Sequence, residues 1–164
     1  MQIAPTTQIY QNNYTKISDT NNKKQNIDIN GDTIIDLSNK FPKNIVNAID
    51  KIAEDTNMNQ VDRLLFATDL QMSMSDYHAG KEIHPNTMVG DGFDGKPMHT
   101  DHIITKKEMQ SIDFDDFLSK ALSSFTQGLH TTGGEVKERY EELVNNYSLL
   151  QQNYNQVKSE PIYA

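Results

Sequence analysis

The sequence predicts an all-α protein of about four helices, and three observations carry that prediction. Apolar residues recur at helical spacing in four separate stretches. Residues that favour a helix start stand at the head of these stretches. Strand-like alternation is confined to one short segment near the N-terminus, so no sheet of any size is expected.

Residues 1–26 are dominated by Gln, Asn, Thr and Ser, with Tyr10 and Tyr14 among their few large side chains. Such a segment buries too little surface to offset the entropy of ordering, so a flexible polar tail is expected. Tails of this kind also serve as export or docking segments. Residues 27–158 are expected to form a single, mainly helical domain, followed by a short C-terminal tail over 159–164.

Ile27 and Ile29 alternate with polar residues, Asn30-Gly31 is a turn signal, and Thr33-Ile34-Ile35 favours strand. The pattern is that of a small β-hairpin, which is marginal in water unless it leans on the helices. Asn26, Asp28, Asn30, Gly31 and Asp32 also match the early positions of a calcium loop. Leu37 stands where the closing carboxylate belongs, however, and the eighth position is Thr33 rather than apolar.

Pro42 suits a first helical position, and Ile45, Val46, Ile49, Ile52 and Ala53 follow at helical spacing, so a helix is expected over 42–55. Asn57 and Gln60 stand three apart, as in a capping box, and open a second helix over 58–79. Its apolar stripe reads Val61, Leu64, Leu65, Thr68 and Met72, with Leu70, Met74 and Tyr77 beside it. So wide a stripe suits a helix buried among several neighbours.

Pro85, Gly90, Gly92, Gly95 and Pro97 then interrupt the pattern, which makes 81–104 a long loop. Thr105 and Glu108 form another capping pair ahead of a short helical turn. Asp113 and Asp116 place negative charge at the start of a helix over 113–129, whose apolar face runs from Phe114 through Phe117, Leu118, Ala121, Leu122 and Phe125 to Leu129. A last helix, over 133–158, follows Thr131-Thr132-Gly133-Gly134, where Thr132 and Glu135 again have capping spacing.

That last helix carries a heptad seam. Val136, Tyr140, Leu143, Tyr147, Leu150, Tyr154 and Val157 follow in alternating steps of four and three. A stripe of two positions in seven is narrower than the face a helix turns to a globular core, and it has the width of a helix–helix contact. One reading packs this helix along the others of the same chain in an antiparallel bundle. The other makes it a coiled-coil surface for a second copy or a protein partner, and on that reading these seven residues are the partner-binding set.

Composition excludes several classes of function. Net charge is −8, which argues against nucleic acid or an anionic membrane surface as partner. The chain has no cysteine, so disulfides, thiolate metal sites and cysteine nucleophiles are out. The apolar share is 35% and mean hydropathy is −0.70, so part of the chain is expected to stay outside the core. The start of the sequence lacks the basic and apolar regions of a signal peptide, and no apolar run is long enough to insert in a membrane. The cytoplasm is the default compartment, with export by a route that needs no cleaved signal left open.

One chemical constellation stands out in the loop: His84, Asp91, Asp94, His99, Asp101 and His102. Imidazole and carboxylate together suit zinc, iron or manganese, although the spacing is not that of a known zinc signature. The competing reading is a solvated loop. Asp91-Gly92-Phe93-Asp94-Gly95 has the residues of a calcium turn without its repeat, and equally those of an ordinary turn. No serine-elbow or phosphate-loop motif occurs. Asp113, Asp115 and Asp116 are explained by a helix start, and His78 and His130 by helix ends.

The sequence therefore names no reaction. Its leading expectation is a non-enzymatic helical interaction or assembly protein that uses its C-terminal helix. The alternative is a metal-binding protein or metal-dependent enzyme built on the loop 84–102. A third expectation is a small regulatory partner that orders fully only when bound.

Overall fold

The structure of the chain is a computed structural model and describes residues 34–159. Among the described residues there are five helices and no strand. They are α1 (Lys43–Asp55), α2 (Gln60–His78), α3 (Lys106–Met109), α4 (Phe114–Thr131) and α5 (Gly134–Ser159). The expected polar tail and most of the expected hairpin lie outside the described residues. Ile34–Leu37 is not strand, and Ile34 and Leu37 are buried against the helices.

The helix starts follow from side-chain chemistry, with three departures from expectation. The first is Thr132: it ends α4, its hydroxyl donating to the Gly128 carbonyl oxygen at 2.7 Å, and does not form the expected capping pair with Glu135. Thr105 and Glu108 form a complete capping box, each side chain answering the other's backbone N–H. The Asp113 carboxylate accepts from the Asp116 N–H at 3.0 Å. Pro42 sits just outside α1 as its N-cap, in an extended conformation. At α2 the cap is Asn59, which accepts from the Asp62 N–H at 2.8 Å, rather than Asn57. Asn57 instead takes a left-handed conformation (φ 54°) that turns the chain between α1 and α2, a role that asparagine tolerates better than most residues.

α5 packs along α4 and along α1, while α2 rests on α1 and on α4. Between them lies one aromatic-rich core. Tyr147 is fully buried at its centre and meets the ring of Phe125 edge-on at 5.0 Å and that of Phe66 at 6.1 Å. Close approach of α4 and α5 depends on Gly128, because a Cβ there would lie 2.2 Å from the Tyr140 ring.

α2 turns a different face inward from the one its longest apolar run suggests. Phe66, Ala67, Leu70 and Met74 are buried, together with Arg63. Val61 and Leu65, at 63% and 60% exposure, point outward. The inversion has a physical cause. Arg63 is wholly buried because its guanidinium meets the Asp50 carboxylate of α1 at 2.6 Å and the carbonyl oxygen of Ile35 at 2.7 Å. A charge anchored in this way, and not apolar count, orients the helix.

The segment 81–104 has no regular structure beyond an isolated bridge between Asp91 and Pro97, yet it is tied down. Ile83 and Ile104 are buried in the core. The Ile104 N–H donates to Ser75 Oγ at 2.9 Å, and Ser124 donates to the carbonyl oxygen of Ile83 at 2.6 Å.

Candidate partner-docking groove

The seam residues divide by position. Tyr140, Leu143, Tyr147 and Leu150 are buried in the core of the chain itself. Tyr154 is half-buried against Phe114, with ring centroids 4.4 Å apart, and Val157 is half-buried. Val136, at the start of the row, is 48% exposed.

Beside the seam runs a second row that the apolar pattern hides. Arg139, Asn146 and Asn153 recur at intervals of seven, each one place before a tyrosine of the seam. Asn146 and Asn153 are buried, and Arg139 is largely so. This widens the inward face of α5 from two positions in seven to three, the width of a core-facing helix. Polar residues at a strict seven-residue interval next to an apolar seam were the available signal.

The loop residues are held by local partners. Asp76 of α2, fully buried, accepts from the Thr100 N–H at 2.8 Å and lies 2.7 Å from His99 Nδ1. The other ring nitrogen of His99 faces the carbonyl oxygen of Met88 at 2.7 Å, so neither nitrogen is left for a metal. His102 Nε2 lies 3.0 Å from the Glu108 carboxylate, which the α3 capping box already engages. Those capping hydrogen bonds, with a smaller contribution from His102, hold Glu108 down at about 2. His84 stands 3.7 Å from Glu82. Asp94 caps the turn by accepting from the Lys96 N–H, and Asp91 and Asp101 are exposed. Among the described residues, no group of three His, Asp or Glu side chains is placed to hold a metal ion.

What the fold does assemble is a groove of about 680 Å³ between α2 and α5, closed at one end by the loop. Leu65, Met58, Phe66 and Leu143 give it an apolar lining, and Asn146 lies among them. On one wall Arg139 of α5 pairs with Asp69 of α2 and, at 2.9 Å, with Glu142. Burial pushes the Asp69 carboxyl up, against the pull of Arg139 and a hydrogen bond from Asn86. Asp62 stands at the rim, so three carboxylates face one guanidinium and the groove is acidic.

Two groups in this lining are left unanswered among the described residues: Arg139 Nε, which is buried without a hydrogen-bond partner, and the side-chain amide of Asn146, which opens into the groove. Asn146 is 8% exposed, and its side-chain amide makes no hydrogen bond among the described residues. An amide that the fold holds in place and leaves open to the groove is free to bond whatever enters it. Fold and groove together define a helical protein with a recessed, acidic, partly apolar surface. No family model matches the chain, and no curated protein or solved structure shows significant similarity to it. No helix among the described residues is long and apolar enough to cross a membrane.

Proposed function

We propose that this chain is a non-enzymatic interaction protein that takes a protein partner into the groove between α2 and α5. The observation that carries this reading is an apolar-floored groove into which the Asn146 amide opens with no hydrogen-bond partner among the described residues, beside the buried, unpartnered Nε of Arg139. The exposed side chains of Val61 and Leu65 continue that apolar surface outward along α2. Leu143 joins the groove to the seam, so the C-terminal helix contributes to binding through its flank while its tyrosine row closes a helical bundle within the chain. An acidic rim favours a partner with local positive charge.

The reading is tested by placing p-benzoylphenylalanine at position 65, and separately at the exposed Ser119 of α4, in cells that make the protein. Irradiation is expected to give a discrete adduct from position 65 and none from position 119. Asn146→Lys, which fills the groove, is expected to abolish it. Equal adducts from both positions, or an adduct indifferent to Asn146→Lys, refutes the groove.

A further inference from the structure

We infer that the groove recognises an extended, basic segment by its backbone, with one apolar side chain seated among Met58, Phe66 and Leu143; this rests on the groove being a partner site. An asparagine amide can bond in two directions at once. Its NH2 donates and its oxygen accepts, so it matches the N–H and C=O of one peptide unit. A helical partner has already spent those groups on itself, whereas an extended chain presents a free pair at each residue. Asn146 is a largely buried residue whose amide opens into the groove and has no hydrogen-bond partner among the described residues, so it is placed to read backbone.

Dimensions agree with a short extended segment. From Asp62 to Asp69 the groove follows seven residues of α2, about 10 Å of helix axis. About three residues of extended chain cover that distance. The middle one places its side chain on the apolar floor, and its neighbours point toward the walls, since successive side chains alternate. Those walls carry Asp62, Asp69 and Glu142 against Arg139, so lysine or arginine at the flanking positions is the complementary choice.

The test uses the full chain, labelled with 15N, and three kinds of blocked peptide. The parent is Ac-Lys-Lys-Leu-Lys-Lys-NH2. A second set carries a backbone N-methyl on each of the three central residues in turn. The third peptide replaces every lysine with glutamate. The parent is expected to shift the Asn146 side-chain amide and the backbone signals of Leu65 and Leu143, with weak, roughly millimolar affinity for so small a contact. One N-methylated version is expected to bind two- to tenfold more weakly, as loss of one hydrogen bond implies, and the acidic peptide is expected to leave the groove unmoved. Asn146→Ala is expected to cost the parent the same factor and to cost that N-methylated peptide nothing more. Its spectrum also reports whether the variant is folded.

No groove shifts with any peptide, equal binding by all N-methylated versions, or a factor indifferent to Asn146→Ala each overturns the inference. A cross-link at position 65 that survives such a result leaves the groove standing as a partner site with a different occupant. Absence of both the cross-link and the peptide shifts removes the groove itself.

Discussion

Changing Tyr147 to Phe removes one oxygen atom from the centre of the core. The Tyr147 hydroxyl donates to Ser73 Oγ at 3.0 Å, and both residues are buried. Without the donor, the buried Ser73 oxygen loses the hydrogen bond it accepts. Stranding a buried partner in this way costs about 1–3 kcal/mol. Taking about 2 kcal/mol as the centre of that range, a chain of this size melts about 4–8 °C lower. Ser73→Ala is expected to cost a similar amount, since it strands the hydroxyl of Tyr147 instead. Making both changes removes both polar groups, so the double variant is expected to be less destabilised than the sum of the singles by about 1–3 kcal/mol. Urea unfolding followed by circular dichroism measures all four proteins. Single variants that cost under about 0.5 kcal/mol, or costs that simply add, would show that the two groups are not coupled and that Tyr147 is not sealed in the core.

Two further perturbations probe other parts of the packing. In an open helix Gly128→Ala would stabilise by about 1 kcal/mol, but here the new Cβ meets the Tyr140 ring, so a net loss of about 1–2 kcal/mol is expected in urea unfolding; with Tyr140→Ala in place, the same substitution is expected to turn stabilising. Burial pushes the Asp50 carboxyl up to about 6, despite the opposing charge and hydrogen bonds of Arg63. Because the folded state then holds this proton more tightly than the unfolded chain, its contribution is fully present below pH ~4 and is lost as pH rises through 6. The loss amounts to at most about 3 kcal/mol. A 13C titration of the Asp50 carboxyl is expected to show a midpoint near 6, and a midpoint at or below 4 would mean that Arg63 outweighs burial.

Helix positions were legible in the sequence because local chemistry sets them. The Thr105–Glu108 pair, the Asp113 cap and the apolar face from Phe114 to Leu129 each act within one or two turns, so spacing alone reveals them. The orientation of α2 was not legible. Its inward face is chosen by Arg63 meeting Asp50 thirteen residues away and Ile35 twenty-eight residues away, and no periodicity records a contact of that range. The loop was misleading for a related reason. Its histidines and aspartates cluster in sequence, yet His99 is claimed by Asp76 and Met88, and His102 by Glu108. In α5 the seam was visible because apolar residues declare themselves. The groove was hidden because Arg139 and Asn146 read as surface residues until α2 and the loop close around them.

The most direct measurement compares photo-cross-linking yields from three positions in cells that make the protein: Leu65 in the groove, Val136 at the exposed start of the seam, and Ser119 on α4. A discrete adduct is expected from position 65 that disappears with Asn146→Lys, with background yields from the other two. A dominant adduct from position 136, unaffected by Asn146→Lys, would contradict this and return the binding surface to the heptad seam.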